Sequence, residues 1–382
     1  MLGPLVAVTT AEQDGILLYD VGVMELGTDA GSPVRRELTF GRGWQQVWDF
    51  SPDGCRILFT MNDGGAVGSP ARLYSARIDG TDMRELVQYD ELAASDWSVW
   101  EPDWSPDGAN IAFTMIRQNR PGAEISDTTG HEYHLAVIDA AGGVPEFYSI
   151  TGDEHEPQWS PDGQWLAYTS YEERVPGADI ISTAVPTIEP APGSPEIPLL
   201  READLWVVSA DAVTKYRLTG FDVGSARTPR WSPDGFLISF IYAPSPNNDQ
   251  FWIIANQQGA LQTQLSSAAS LILDNTWLPD STALLAAVRD FQGTAQNRLW
   301  RIPLVGLADT DAQQYPLDAS LDYADYPRYS ADGRWLALRT AYALALVDVG
   351  TDFSYTLLDE DLSGNSPPVW SPAGFTGEAD CN

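Results

Sequence analysis

Acid–base chemistry in this chain would centre on His155, one of only three histidines. It lies in the run Asp153-Glu154-His155-Glu156, and Glu101 and Asp325 lie at matching places ahead of a motif that recurs along the chain. A carboxyl group and an imidazole within hydrogen-bond reach of a substrate can supply the acid and the base of a lyase or hydrolase. His155, Glu156, Glu101 and Asp325 are therefore the candidate catalytic residues, if the protein is an enzyme.

Other kinds of catalytic or cofactor site find little support in the residue pattern. His131 and His134 are three residues apart at the start of a predicted strand, so their side chains point to opposite faces and make a poor metal pair. No Gly-x-Ser-x-Gly turn, Gly-x-x-x-x-Gly-Lys loop or Cys-x-x-Cys pair occurs. No cofactor is expected. Ca²⁺ is the metal that a carboxylate-rich surface favours, since it prefers oxygen ligands, although no stretch has an EF-hand pattern.

Net charge limits the partners of this chain. It has 54 Asp and Glu residues against 21 Lys and Arg, a formal net charge of −33, and Lys215 is its only lysine. Nucleic acids and anionic membranes are bound mainly through basic side chains, so we expect neither as a partner. Neutral or cationic partners remain, metal ions included. The acidic excess is also compatible with two roles unrelated to a partner, since acidic side chains keep a Trp-rich surface soluble and are favoured in a salty habitat.

No segment predicts a membrane anchor. No run approaches the roughly 18 apolar residues of a membrane span, and residues 1–10 are too short and lack the basic flank of a signal peptide. We therefore expect a soluble protein, with any leader or anchor not present in this sequence.

A five-residue motif recurs seven times and organises the chain. Its clearest copy is Trp159-Ser160-Pro161-Asp162-Gly163, and the leading aromatic residues of the copies lie 54, 55, 72, 46, 52 and 41 residues apart. Those aromatic residues are Phe50, Trp104, Trp159, Trp231, Trp277, Tyr329 and Trp370. A recurrence of this period indicates a propeller, solenoid or array.

The repeating unit is four short strands with the motif on the first. Four-stranded antiparallel sheets repeated radially are the blades of a β-propeller. Only twelve residues follow Trp370, whereas three strand-like runs precede the first motif, at 5–9, 16–21 and 36–40. If the Trp370 strand pairs with those runs, the ring closes with seven blades. We therefore predict one all-β domain over residues 1–382, a seven-bladed β-propeller closed by pairing of its N- and C-terminal strands.

These copies resemble the TolB-like (PD40, WD40-like) β-propeller repeat. The resemblance rests on Trp-Ser-Pro-Asp-Gly with Pro two positions before the Trp, as in residues 101–108 and 156–163, and it covers roughly residues 44–374. Ser281 replaces the Gly of one copy and Ala373 the Asp of another, which weakens the prediction of a turn there. Proteins with this repeat include periplasmic TolB, which binds peptide segments of partner proteins, propellers fused to peptidases, and some oligogalacturonate lyases. The resemblance implies the fold rather than one function.

Residues three and four positions before each motif aromatic are predicted to ring one mouth of the central channel, because the loops that enter the innermost strands meet there. With nearby tryptophans they give nine candidate ligand-binding residues: Trp44, Trp97, Trp100, Glu101, His155, Glu156, Arg227, Asp325 and Tyr326. Indoles beside carboxylates suit stacking on a sugar, a cationic side chain or a peptide. Alternatively, Trp44, Trp97 and Trp100 pack between blades, as the motif tryptophans are expected to do.

Two irregularities interrupt the repeat. Residues 171–203, within the third complete blade, form a Pro-rich insertion that is either a disordered or surface flap, or a lid or partner-docking arm. Cys55 follows the first Asp-Gly turn and Cys381 lies next to the last residue. Ring closure would bring both into adjoining blades, where they form a disulfide or remain two unrelated thiols.

Three functions are compatible with these observations. The first is a non-catalytic, extracytoplasmic (periplasmic, cell-surface or secreted) propeller whose acidic, aromatic channel mouth engages a peptide, a partner protein or a glycan. The alternative is a glycan-active lyase or hydrolase that uses His155 and the nearby carboxylates. The third is a structural subunit that docks a neighbour through the insertion or the outer blade faces.

Overall fold

The computed structural model describes residues 4–9, 15–20, 34–38, 40, 43–62, 69–88, 97–118, 131–148, 153–174, 200–266, 271–289, 297–305, 312–318, 321, 323–340, 343–350, 352–358, 367–375 and 377–381. These residues form seven four-stranded antiparallel sheets. Neighbouring innermost strands contact one another around the whole ring. The predicted all-β, seven-bladed propeller is therefore confirmed.

The strands are grouped by their place in the blades, from the channel outward. The innermost strands are β4 (Gln45–Phe50), β8 (Trp97–Trp104), β12 (Glu154–Trp159), β16 (Ser225–Trp231), β20 (Leu271–Trp277), β24 (Asp325–Tyr329) and β28 (Val369–Trp370). The second strands are β1 (Leu5–Thr9), β5 (Arg56–Met61), β9 (Asn110–Gln118), β13 (Trp165–Arg174), β17 (Leu237–Ala243), β21 (Ala283–Arg289) and β25 (Trp335–Arg339). The third strands are β2 (Ile16–Asp20), β6 (Arg72–Arg77), β10 (His131–Asp139), β14 (Leu200–Ser209), β18 (Gln250–Ala255), β22 (Asn297–Pro303) and β26 (Leu344–Asp348). The outer strands are β3 (Val34–Leu38), β7 (Arg84–Glu85), β11 (Glu146–Phe147), β15 (Lys215–Arg217), β19 (Thr263–Gln264), β23 (Gln313–Gln314) and β27 (Tyr355–Leu358).

Blades 1 to 6 follow one another along the chain, beginning with β4, β8, β12, β16, β20 and β24, and blade 7 combines β28 with β1, β2 and β3. A short 3-10 helix, Glu378–Cys381, follows the last strand. None of the helices among the described residues has the length and apolar character needed to cross a membrane.

The core consists of seven apolar clusters, one for each pair of adjoining blades. Middle strands pack against a blade on each face, so their residues are apolar in succession rather than in alternation. All five residues of β25 and of β26 are buried for this reason.

Blade 7 closes the ring. β28 pairs antiparallel with β1, with Val6 opposite Trp370, and the Ser371 backbone N–H donates to the Leu5 carbonyl at 2.9 Å. The ring of Phe375 occupies the space that a side chain at Gly54 would need. Beside it, Cys55 and Cys381 form a disulfide with a sequence separation of 326.

The motif turn is built by its serine and aspartate. Ser160 Oγ donates to Asp162 Oδ1 at 2.6 Å and accepts from the Trp165 backbone N–H at 2.9 Å. Gly163 takes a φ of 67°, which L side chains adopt only at a cost. Ser281 holds the same position with a φ of 58°, so the turn forms there despite the missing glycine.

Motif tryptophans join neighbouring blades, as predicted. Trp231, Trp277 and Trp370 donate through Nε1 to backbone carbonyls of the preceding blade, at 3.1, 2.9 and 2.9 Å. These carbonyls belong to Gln158, Arg230 and Arg328. The tryptophans are therefore part of the architecture.

The structure describes only the two ends of the predicted Pro-rich insertion, residues 171–203. β13 and β14 pair in register out to Arg174 opposite Leu200, so residues 171–174 and 200–203 are strand. β13 and β14 therefore extend into the predicted insertion at both ends, and the insertion over residues 171–203 stays a prediction. Residues 175–199 lie outside the described residues.

Candidate functional site

The central channel has two different mouths. We call the end where the innermost strands begin the upper mouth, and the end with the Ser-Pro-Asp-Gly turns the lower mouth. A cavity of about 360 Å³ lies in the channel between them. Its lining includes Trp48, Glu101, Asp103, Glu156, Gln158, Arg230 and Arg328. Both signs of charge therefore face the channel.

A β-bulge interrupts the innermost strand of each of the six complete blades. In four of them a positive φ, between 51° and 57°, occurs at the residue before the proline that lies two positions ahead of the motif aromatic. These four residues are Glu101, Glu156, Thr228 and Tyr326. Proline lacks an N–H, so a bulge at this place costs the ladder no donor. The bulge also breaks the alternation of faces, and the side chains of Glu101 and Glu156 reach the next blade.

Glu101 and Glu156 use this reach to tie blades together. Glu101 Oε2 accepts from the Glu156 backbone N–H at 2.9 Å and from Thr114 Oγ1 at 3.3 Å. Glu156 accepts from the Thr228 backbone N–H at 2.7 Å, from Thr228 Oγ1 at 3.1 Å and from Thr169 Oγ1 at 3.0 Å. Burial, followed by the charge of Glu156, raises the pKa of Glu101. Each carboxylate thus binds the backbone N–H of the positive-φ residue in the next blade, Glu156 or Thr228. Both carboxylates therefore have a structural role.

His155 is packed into a compact group at the upper mouth. Its Nε2 lies 2.9 Å from Asp153 Oδ1, and its ring centroid lies 4.2 Å from that of Tyr133 and 5.2 Å from that of Tyr171. Arg201 donates to both oxygens of Asp153, at 2.7 and 2.9 Å, and its guanidinium lies 4.4 Å from the Tyr171 ring centroid. The imidazole therefore faces a carboxylate that a bidentate arginine already neutralises.

Trp44 and Trp100 come together at the upper mouth between blades 1 and 2. Their ring centroids lie 5.4 Å apart, and Trp48 meets Trp100 edge-on at 6.0 Å. They line a cavity of about 420 Å³ with His131 and Tyr133, which we call the aromatic pocket. Its other side chains are uncharged: Asn62, Ser69, Ala71, Ser98 and Ile116. The described lining thus combines aromatic faces with neutral polar groups.

Trp97 does not join this pair. It packs within blade 2, where its ring centroid lies 5.8 Å from that of His134 and 6.1 Å from that of Phe147, and the Arg117 guanidinium lies 5.5 Å from it. These contacts agree with the alternative in which Trp97 packs within the fold and does not bind a ligand. Arg227 likewise has a fixed partner, since its Nη2 donates to Asp249 Oδ1 at 2.9 Å.

Asp325 and Tyr326 lie in blade 6, three blades from His155. Asp325 Oδ1 accepts from Asn297 Nδ2 at 2.6 Å, and burial raises its pKa. Burial, followed by the charges of Asp274 and Asp325, raises the pKa of Tyr326. The structure therefore brings His155 and Glu156 together in one strand, with Glu101 bonded to that strand, but it does not bring Asp325 to them.

Sequence reasoning missed the residue directly before each motif aromatic. Asp49 and Asp103 hold this position, and their Oδ2 atoms accept from the backbone N–H groups of Trp104 at 3.0 Å and Trp159 at 2.6 Å in the next blade. Burial, followed by the charge of Asp103, raises the pKa of Asp49 to about 8, and burial raises that of Asp103 to about 7. Side chains alternate between the two faces of a strand, and the motif aromatic is buried between blades. The residue directly before it should therefore point to the opposite face, and this signal would have placed it in the channel.

No group of three or more His, Cys, Asp and Glu side chains in the described ranges is placed to hold a metal ion. Binding of Ca²⁺ at the mouth stays a prediction.

Similarity to known proteins is partial. No protein-family model matches the chain. Over 102 residues it is 34% identical to the Tol-Pal system protein TolB of Alcanivorax borkumensis, covering 26% of this chain and 20% of that protein. Over 190 residues it is 24% identical to a TolB homolog of Chlorobium chlorochromatii, covering 50% of this chain and 32% of that protein. The chain spans less than half the length of the curated relatives it matches.

Solved structures share the fold. A puromycin-hydrolyzing peptidase from Mycobacterium tuberculosis superposes with a TM-score of 0.59 at 16% identity, covering 94% of this chain and 54% of that one. An oligogalacturonate lyase from Vibrio parahaemolyticus gives a TM-score of 0.54 at 12% identity, covering 93% and 91%. At these identities the likeness is one of fold alone. Together with the seven blades and the TolB relatives, it makes the chain a TolB-like β-propeller protein.

Proposed function

We propose that this chain is a non-catalytic, extracytoplasmic propeller that binds a basic polypeptide segment of a partner protein at the upper mouth. The observation that carries the proposal is the aromatic pocket, in which Trp44, Trp100, His131 and Tyr133 line a cavity of about 420 Å³ with no Asp, Glu, Lys or Arg side chain in its described lining. Aromatic faces attract Lys and Arg side chains through cation–π contacts. The net charge of −33 would steer such a segment toward the protein.

The hydrogen bonds of the candidate catalytic carboxylates favour binding over catalysis. Glu101 and Glu156 accept backbone and threonine donors that belong to the ring itself. A general base must have a free lone pair within reach of the substrate proton. These ring donors take up acceptor sites on Glu101 Oε2 and on both oxygens of Glu156, which supports a structural role for the two carboxylates over the lyase or hydrolase alternative.

An extracytoplasmic location is supported by the cysteines. The Cys55–Cys381 disulfide requires an oxidising compartment to form and persist. The TolB relatives point the same way.

Fluorescence anisotropy with labelled peptides of equal length tests the proposal. Alternating Gly-Arg, Gly-Gln and Gly-Glu peptides serve as probes, each with and without Ca²⁺. The Gly-Arg peptide should bind, and Trp100→Ala should weaken it about tenfold or more, as truncation of a buried aromatic anchor does. Trp44→Ala should have a similar effect.

Trp165→Ala is the matched control, because Trp165 is also half-buried and packs against Tyr216 in blade 3. Equal affinity for the Gly-Arg and Gly-Glu peptides would refute charge selection. Equal losses in Trp100→Ala and Trp165→Ala, with both variants folded by circular dichroism, would refute the aromatic pocket as the site.

A further inference from the structure

Near the lower mouth, two arginines and an asparagine face a cavity that the function proposed above does not use. Arg230 and Arg328 line both the channel cavity and an adjoining cavity of about 320 Å³. Asn275, Trp231 and Trp277 line the adjoining cavity as well. In a chain with 21 basic residues against 54 acidic ones, two guanidinium groups at one end of the channel are unusual and need a physical reason.

Asn275 supplies a donor without a partner. The residue is fully buried, at 0% exposure, and its Oδ1 accepts from Ser239 Oγ at 3.3 Å. Its Nδ2 makes no hydrogen bond within the described part of the chain. Leaving a buried donor unpaired costs about 1 to 3 kcal/mol. Asn275 lines this cavity, so an acceptor bound there would satisfy the donor.

The two arginines share one carboxylate. Arg328 Nη1 lies 2.6 Å from Asp274 Oδ2, whereas Arg230 Nη2 lies 3.9 Å from Asp274 Oδ1, beyond hydrogen-bond range. Asp103 is a second acid near Arg230, but burial raises its pKa to about 7, so near neutral pH it carries less than a full negative charge. The described lining of the adjoining cavity holds no acidic side chain, so the two guanidinium groups leave a positive charge there that Asp274 alone does not balance.

We propose that Arg230, Arg328 and Asn275 bind a carboxylate group at the lower mouth. Guanidinium groups present paired N–H donors that match the two oxygens of a carboxylate, and the Asn275 amide adds a further donor. One negative charge balances this group, whereas a phosphate dianion would exceed it. The carboxylate belongs either to a small organic acid or to an acidic side chain of a polypeptide, and the site is independent of the aromatic pocket.

Saturation-transfer NMR at low ionic strength tests the site with two probes. Acetate represents the free acid, and amidated acetyl-Gly-Asp-Gly represents the peptide side chain. At least one probe should bind, and Arg230→Gln and Asn275→Ser should each weaken it by about tenfold or more, since each removes donors to a charged group. Arg84→Gln is the control, because it makes the same change in net charge at an exposed arginine that pairs with Asp82.

The outcomes separate the two sources and the site itself. Binding of acetate alone assigns a free acid, and binding of the tripeptide alone assigns a polypeptide side chain. Either result supports the site if the Arg230 and Asn275 variants lose it while Arg84→Gln retains it. No binding of either probe, or an equal loss in Arg84→Gln, overturns the proposal. Thermal unfolding verifies each fold, and if Arg230→Gln fails to fold, Asn275→Ser decides alone.

Discussion

Removing the disulfide should destabilise the ring more than any single hydrogen bond does. The Cys55–Cys381 bond joins residues 326 apart. For a loop of that size the chain-entropy relation gives about 6 kcal/mol. The stabilisation from a disulfide is smaller than this relation gives when the reduced chain keeps some structure. Here β28 still pairs with β1 and joins the two ends without the disulfide. We therefore expect Cys55→Ser/Cys381→Ser to lower the free energy of unfolding by about 2 to 5 kcal/mol.

Urea unfolding followed by tryptophan fluorescence measures this loss. The dependence of the free energy of unfolding on urea concentration is compared between the variant and the oxidised protein. Amide hydrogen exchange at Leu5 and Ser371 gives a local reading, because their backbone groups bond across the closing strands. Reductant should bring the wild-type protein to the midpoint of the double variant and leave the variant unchanged. If the oxidised protein and the variant unfold at the same urea concentration, the disulfide does not stabilise the closed ring and the reasoning is wrong.

Two further predictions concern the carboxylates of the innermost strands. The pKa of Asp49 is raised above its unfolded value, so the protonated carboxyl stabilises the fold fully below about pH 4, and this stability is lost as pH rises through about 8. Melting temperatures of the wild type should therefore fall across this window more steeply than those of Asp49→Asn, and parallel curves would contradict the assignment. Glu156→Ala should lower the free energy of unfolding by about 2 to 4 kcal/mol, because it leaves the Thr228 N–H and hydroxyl unpaired. Glu156→Gln keeps an acceptor, so its free energy of unfolding should fall less in the same urea titration. Equal stability of the wild type and both variants would show that the Glu156–Thr228 hydrogen bonds do not stabilise the ring.

The fold was predictable because its signal is repeated. Each copy of the motif carries its own turn chemistry and a buried aromatic residue, and the count of strands at the two ends left one simple way to close the ring. The pairing of the Trp370 strand with the N-terminal strands follows from that count. Because the motif occurs in seven copies, one departure from it, such as Ser281 in place of Gly, does not change the predicted fold.

The site was less predictable because it depends on a local break in the repeat. The residue three positions before the motif aromatic was predicted at the mouth because the loops that enter the innermost strands meet there, but the bulge sends Glu101 and Glu156 to the neighbouring blade. The proline itself was the available signal, since it cannot donate to a ladder in mid-strand. The meeting of Trp44 with Trp100, and of His155 with Tyr133, depends on long-range packing that spacing does not contain.

The composite seventh blade has a consequence for synthesis. Within the propeller β1 is the first strand to be made and its partner β28 is the last, since Val6 pairs with Trp370. Until β28 emerges, the nascent chain therefore carries an apolar strand with an unpaired edge, which is a template for aggregation. The protein can mature only after the whole propeller has emerged, and its slowest folding step should be the meeting of its two ends.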